Sequence, residues 1–415
     1  MWIFLFLKHY LIKMKPPRYY SLDVFRGATV ALMILVNNPG TWSAMFAPLK
    51  HADWHGCTPT DLVFPFFLFA VGNAMAFVIP RFKQQPQNEF WKKVIKRTII
   101  IFIIGLFINW FPFFKWENNE LVFKAWKDSP ESGIRIMGVL QRIAIAYFFA
   151  SVIAFYFKEK MVLWISGLIL VGYWILTKLL GGIDPYSIEG FIGTTIDNQI
   201  LGLAHIYKGE TIPFDPEGLY STINAIPQVL LGYLVGMFIN KQGNVKWLKK
   251  SLPETNQPNY RLVAGLFVLG TIALVIGYFW QLDFPYNKKI WSSSYVIHTT
   301  GLSLITIATM IWFIEILNVK NGVMKFFDVF GKNPLFIFAF SGLFPRLLGL
   351  IRIENGLNDE GQIKYISPLG WFYENVCAKI PGIPEVGSFV YSLIFLGFFW
   401  ALAYWLDRKK IYIKV

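Results

Sequence analysis

Nineteen consecutive uncharged and mostly apolar residues, LVAGLFVLGTIALVIGYFW (Leu262–Trp280), approach the length that spans the hydrocarbon core of a bilayer as one helix, about 20 residues. Stretches of this kind recur along the chain. Ten run approximately over Ser21–Asn37, Asp61–Pro80, Val94–Phe113, Gly138–Phe157, Met161–Leu180, Ser221–Asn240, Tyr260–Gln281, Trp291–Leu317, Phe326–Ile351 and Ser388–Leu406. Length and apolarity together decide the fold class: an all-α, polytopic transmembrane helical bundle. Lys325, Lys332 and Pro334 crowd the start of the ninth segment, which leaves room for an eleventh span or a re-entrant piece.

Composition excludes other classes. Hydrophobic residues make up 55% of the 415 and charged residues only 15%, the reverse of a disordered chain. The 2 cysteines exclude a disulfide scaffold. Cys57 and Cys377 fall on the same side of the expected topology, and nothing in the sequence pairs them.

The net charge of +14 is mostly topological. With both termini cytoplasmic, the inner loops collect Arg81, Lys83, Lys92, Lys93, Lys96, Arg97 and the tail cluster Arg408–Lys410, in shorter segments than the outer loops. No nucleic-acid partner is read into that excess. Residues 1–20 read as a cytoplasmic or interfacial extension, and residues 21–415 as one membrane domain. The opening MWIFLFLKHYLIK lacks the basic start and small-residue cleavage site of a signal peptide, and Met14 is an alternative start. The outer loops near Lys178–Gly218 and Arg352–Gly387 are long enough to be lids or binding segments.

Ionisable groups inside a span are costly and mark candidate sites. Arg26 lies in the first span with Asp23 three residues before it, so the two share a helix face. Local pairing or a cytoplasmic anion clamp would each satisfy Arg26. Arg142, in GVLQRIAIAYFF, needs a buried acceptor or a ligand. The stretch from Val36 to Phe67 brings adjacent amides (Asn37, Asn38), two histidines and Asp61 to one membrane face. An imidazole, a carboxylate that orients it and amides that stabilise an oxyanion are what base-assisted acyl transfer requires. Asp61 also suits a helix entry. His51 and His55 flank Asp53, but the position after His51 is Ala52, not the Glu of a zincin, and no third ligand is near; no metal is expected. His298 inside the eighth span reads as structural. From these residues alone, an enzyme and a permease stand level.

The segments SLDVFRGATVALMILVNN, KHADWHG and TDLVFPFFLFAVG, followed by GVLQRIAIAYFFAS, FDPEGLYSTINAI, NKKIWSSSYV and LDRKKIYIKV, resemble the heparan-α-glucosaminide N-acetyltransferase family and its bacterial transmembrane relatives. The resemblance covers nearly the whole chain after Ser21. It implies an acetyl-CoA-dependent acetyltransferase of the bacterial inner membrane. The acetyl group would pass from cytosolic acetyl-CoA to the amine of an extracytoplasmic glucosamine or glucosaminide, with no metal and as a homodimer.

By motif, His51 in KHADWHG inherits the catalytic histidine's role, Asp61 and Asn37 complete the catalytic set, and Arg26 and Arg142 are the expected acetyl-CoA-binding residues. Trp54, Asn287, Trp291 and Ser294 are the expected substrate-binding residues on the outer side. His55 stands where the family carries Asn, and the loop Asn38 to Leu49 differs, so the acceptor side departs most. The pantetheine arm would thread between helices from the cytoplasm to bring the thioester near His51. His51 would act either as a base or as the nucleophile of an acetyl-imidazole intermediate, and both require an unprotonated ring. An amino-sugar permease, or transfer to a cell-wall or other surface glycan, are the competing readings.

Overall fold

The structure, a computed structural model, describes residues 19–241, 258–357 and 361–413. Residues 1–18 of the expected N-terminal extension, the alternative start at Met14, and Lys246, Lys249 and Lys250 lie outside the described residues. Fourteen α-helices are present among the described residues: α1 (Tyr20–Asn37), α2 (Val63–Met75), α3 (Ile79–Phe82), α4 (Gln87–Trp110), α5 (Val139–Tyr156), α6 (Glu159–Leu180) and α7 (Ile192–Leu201) come first. They are followed by α8 (Leu219–Asn240), α9 (Pro258–Trp280), α10 (Ser293–Ile311), α11 (Gly322–Lys332), α12 (Pro334–Leu348), α13 (Pro368–Phe372) and α14 (Pro384–Arg408).

Among the described residues, 8 helices are long and apolar enough to cross a membrane: Tyr20–Asn37, Pro59–Phe82, Val139–Tyr156, Glu159–Leu180, Leu219–Asn240, Tyr260–Trp280, Ser293–Ile316 and Pro384–Arg408. Each coincides with an expected segment. Two expected spans take another form. The third lies in α4, whose 24 residues include Lys92, Lys93, Lys96 and Arg97 in the first half. The ninth is not one helix but two, α11 and α12, broken at Asn333. Pro334 removes an amide donor there, and the residue before a proline avoids helical geometry. Asn333 accordingly has φ −129° and ψ 49°.

The structure is mostly helical, with three two-stranded antiparallel sheets among the described residues, in loops, that the all-α reading omitted. They pair β1 (Phe114–Glu117) with β2 (Glu120–Phe123), β3 (Lys127–Ser129) with β4 (Ser132–Gly133), and β5 (Ile353–Leu357) with β6 (Ile363–Ile366). In the first, Phe114 faces Phe123 and Glu117 faces Glu120.

Close helix crossings organise the bundle. Without water, helices associate by packing, which favours small residues at the crossing. A side chain at Gly27 of α1 would run into the Phe327 carbonyl of α11, and one at Gly331 into the Asp23 carbonyl, so these backbones touch. Gly72 and Gly232 serve the α2–α8 crossing in the same way. The largest apolar core joins residues of α1, α2, α5 and α8, including Val30, Leu68, Ala146 and Val229. Alternating helix directions gather the loops 38–58, 111–138, 181–218 and 281–292 at one end of the bundle.

Candidate active site

The local sequence around Asp61 sets the site. A 3-10 turn, Pro59–Leu62, opens the second span. At its third position Asp61 turns back on Thr58, accepting hydrogen bonds from the Thr58 backbone N–H and from Thr58 Oγ1, both at 3.0 Å. The same oxygen, Oδ2, accepts from Ala52 N at 3.0 Å. That leaves Oδ1, which meets His51 Nδ1 at 2.6 Å. Asp61 therefore both caps the turn and orients the imidazole. It is 1% exposed, whereas the His51 side chain is 36% exposed.

His51 opens onto a cavity of about 220 Å³ lined by His51, Trp54, Arg135, Glu210, Glu217 and Lys288, among others. Trp54 is fixed by Nε1–H donation to the Tyr186 carbonyl at 2.8 Å and packs edge-on to Phe214. His55 does not line this cavity. Its ring lies 3.4 Å from Asn287 Nδ2, and burial pushes its pKa down, with Asp184 opposing. Of the two histidines, only His51 has a carboxylate partner among the described residues.

Residues that sequence reasoning passed over complete the cavity. Arg135 grips Asp215 (Nε–Oδ2 2.9 Å) and Glu217 (Nη2–Oε2 2.5 Å) and stacks 4.7 Å from the Tyr207 ring. Burial pushes the Glu217 carboxyl up, but Arg135 and Arg142 outweigh it and hold the group below the usual carboxylate range. Lys289 pairs with Glu210 at 2.8 Å. Lys288 Nζ lies 3.2 Å from His51 Nδ1 and 3.3 Å from Nε2. The available signal was the run Asn287-Lys288-Lys289, two lysines at the mouth of a span expected to face outward, where positive-inside bias disfavours them.

Three of the expected substrate contacts sit behind the cavity wall. Asn287, Trp291 and Ser294 are all 0% exposed. Asn287 Oδ1 accepts from Lys289 N (2.8 Å) and Ile290 N (3.0 Å), an Asx turn that presents the two lysines. Ser294 donates to the Phe284 carbonyl. Trp291 has φ 52°, a strained conformation for a bulky residue, and is held between Phe64 and Arg142. These residues build the loop that carries Lys288 to His51.

Arg142 is fully buried beneath the same wall. It donates to the Pro216 carbonyl at 2.6 Å and to Ser221 Oγ, and its guanidinium stacks 4.8 Å from the Trp291 ring. Protein groups thus satisfy most of it, although Nη1 has no partner among the described residues.

Asn37 is exposed at the end of α1 and lies in a second cavity, of about 350 Å³, with Asn38, Asn109, Gln141, Gly342 and Arg346. Arg135 lines both cavities. A third, about 110 Å³, is lined by Arg26, Phe67, Arg97, Tyr147 and Leu335 at the opposite half of the bundle. There Arg26 bonds Asp23 at 2.9 Å and the Gly331 carbonyl at 2.6 Å, as the spacing of Asp23 and Arg26 suggested. Helices α1, α4, α5 and α12 contribute to both the second and the third cavity, on neighbouring turns of α4, α5 and α12 and about three turns apart on α1, and α2 adds Phe67, Ala70, Val71 and Ala74 to the third. Cys57 and Cys377 are free thiols. Among the described residues, no three His, Cys, Asp or Glu side chains are grouped to hold a metal ion.

Comparison with known proteins agrees with the resemblance. The family profile for heparan-alpha-glucosaminide N-acetyltransferase, catalytic, matches residues 18–282. The human heparan-alpha-glucosaminide N-acetyltransferase is 27% identical over 384 residues, covering 80% of this chain and 54% of the relative. The mouse protein of the same name is 26% identical over 373 residues, covering 78% of this chain and 53% of the relative. The chain thus spans about half the length of the curated relatives it matches. With the profile covering more than half of the chain, this protein belongs to the heparan-α-glucosaminide N-acetyltransferase family.

Proposed function

We propose that this protein is a transmembrane acetyltransferase. It takes the acetyl group of acetyl-CoA supplied at the Arg26 end of the bundle and delivers it to the amine of a glucosamine or glucosaminide at the His51 end. The observation that carries the reading is the His51–Asp61 pair: a carboxylate anchored by Ala52 and Thr58 holds Nδ1 and leaves Nε2 for chemistry at a cavity.

Acetyl-CoA cannot cross a bilayer, so its arm must thread between helices. The cavities stacked along α1, α4, α5 and α12 support such a route. Arg26 and Arg97 at one end suit phosphate oxygens, and the amides Asn37, Asn38, Asn109 and Gln141 near the other suit the amide groups of a pantetheine. In this reading Asn37 serves the donor path, and Arg142 supports the wall between donor and acceptor. Trp54 offers a ring face to the sugar. The predominance of Lys and Arg in loops at the Arg26 end supports a cytoplasmic assignment for that end, with both termini inside a bacterial inner membrane. A homodimer remains part of the proposal through the family resemblance alone.

Chemically, the acceptor amine must lose a proton to attack the thioester. His51 Nε2 takes that proton, the C–N bond forms, the C–S bond breaks, and the imidazolium returns a proton to the leaving thiolate. The test uses inside-out membrane vesicles with acetyl-labelled coenzyme A outside and a glucosaminide sealed inside. Labelled N-acetyl product that requires His51 is the expected result. Release of the unmodified sugar from the vesicles without acetylation would make the chain a permease instead.

A further inference from the structure

The acetyl-transfer reading leaves one charged side chain in contact with His51 unexplained. Lys288 Nζ is almost equidistant from the two ring nitrogens, 3.2 Å from Nδ1 and 3.3 Å from Nε2. The two nitrogens lie on either side of Cε1, so an atom equally far from both does not lie along either lone pair. It stands over the ring face. The ammonium therefore does not consume the Nε2 lone pair, which remains directed at the cavity.

No other contact to Lys288 among the described residues is as short. Asp61 Oδ1 is 3.8 Å away, too far for a strong hydrogen bond. The side chain keeps 23% of its surface, which faces the cavity it lines with His51, Glu217 and Arg135. The Asx turn at Asn287 and the buried Trp291 fix the backbone on both sides of Lys288. The result is a cation on an anchored loop, beside His51 and lining the cavity in which a thioester carbonyl would meet a nucleophile near Nε2.

Attack on a thioester moves the carbonyl π electrons onto oxygen, creating an alkoxide that collapses when the C–S bond breaks. Preorganised donors aimed at that oxygen are commonly the largest single contribution to acyl transfer. We propose that Lys288 supplies the positive charge that stabilises this acetyl oxyanion, a role that rests on the acetyltransferase reading above. The role is the same whether the sugar amine or His51 Nε2 attacks, because both pass through the same tetrahedral oxygen. The charge must be present for the device to work. Burial pushes the Lys288 pKa down, and Asp61 and Glu217 oppose that, while Arg142 and Lys289 reinforce it. His51 is in direct contact with it, and Arg135, Tyr207 and Glu210 line the same cavity.

The experiment measures steady-state acetyl transfer from acetyl-CoA to glucosamine by the full-length protein in vesicles, across pH. It compares wild type, His51→Ala, Lys288→Met and Lys288→Arg. For Lys288→Met, kcat is expected to fall by about 100-fold or more, with KM for both substrates within about threefold of wild type. Lys288→Arg keeps a cation and is expected to retain much more activity. It should also remove the alkaline limb of the wild-type kcat profile, because a guanidinium does not deprotonate. A purely structural role would not move that limb.

The proposal is overturned if Lys288→Met keeps kcat within about fivefold while His51→Ala is inactive, or if its whole effect lies in KM. Should Lys288→Met fail to fold, Lys288→Arg decides: an unchanged alkaline limb overturns the assignment. A wild type that transfers no acetyl group to any amine defeats the underlying reading and this inference with it. That outcome is recognisable because it does not depend on the variant.

Discussion

Asp61 reaches His51 with one carboxylate oxygen, 2.6 Å from Nδ1, while its other oxygen collects Ala52 N, Thr58 N and Thr58 Oγ1. A carboxylate held by three donors on one side cannot rotate, so the imidazole it holds cannot rotate either. Beside an ionised carboxylate Nδ1 is the proton-bearing nitrogen, which leaves the Nε2 lone pair free.

Asp61→Asn is expected to cost about 10³-fold or more in kcat while the protein remains folded, because an amide can present N–H to Nδ1 and favour the wrong tautomer. Steady-state kinetics beside a thermal melt separates the two effects. Activity within tenfold of wild type would mean that the pair is a structural contact.

The two histidines should behave oppositely. His51→Ala should eliminate transfer, whereas His55→Ala should retain activity within a few-fold, since His55 does not line the cavity and contacts Asn287 rather than a carboxylate. Equal losses in the two variants would contradict the assignment.

Gly342 tests the donor route. It lines the cavity with Asn37, and a Cβ there meets nothing within 4 Å, so a side chain would enter open space without distorting the helix. Gly342→Phe is expected to raise KM for acetyl-CoA by about tenfold or more, in line with losing a matched binding surface of about 1.4 kcal/mol or greater. Gly342→Ala should be near wild type. A Gly342→Phe enzyme with normal acetyl-CoA kinetics would place the donor elsewhere.

Stability should depend on pH through Asp197. Its Oδ1 accepts from Leu219 N at 2.9 Å and Tyr220 N at 3.2 Å at the start of α8. Burial, reinforced by Asp215 and opposed by those amides and Arg142, pushes its pKa up to about 7. The unfolded group titrates near 4, so the folded state holds a proton that the unfolded state has released between these values. Stability from this group is complete below about 4 and is lost as pH rises towards about 7. Asp197→Asn keeps the acceptor and removes the titration. Its melting temperature relative to wild type should therefore climb by a few degrees across that window, read by thermal unfolding in detergent. A constant difference would show that Asp197 is ionised throughout.

The α1–α11 contact gives a test of the fold alone. Gly27→Val should prevent normal assembly, because its side chain meets the Phe327 backbone. Gly167→Ala, in α6 with nothing within 4 Å, should be neutral or slightly stabilising. Size-exclusion profiles after heating distinguish them.

Much of the fold was legible because a bilayer imposes one requirement on every span: a long apolar helix that satisfies its own backbone. Eight of the expected segments meet that requirement as continuous helices. The break at Asn333 was foreshadowed by Pro334 and by Lys325 and Lys332. Yet the sequence did not say where the charges go. Lys325 and Lys332 both end on Asp407, from the last helix, at 2.8 and 2.9 Å.

The site divides in the same way. His51 and Asp61 are ten residues apart, so one loop and one helical turn bring them together, and their pairing could be read from spacing and motif. Arg26 likewise found its partner Asp23 one turn away. Arg135, Glu217 and Lys288 reach the same cavity from three separate loops, and no local rule joins them; only the packing of the helices that carry those loops does. That packing also sent Asn37 to the neighbouring cavity and buried Asn287, Trp291 and Ser294 behind the wall. What the chain determined by itself was the set of helices and the His51–Asp61 pair, because both follow from short-range geometry. Which charged groups surround that pair was decided by tertiary structure, because the desolvation of a charge depends on every element packed against it.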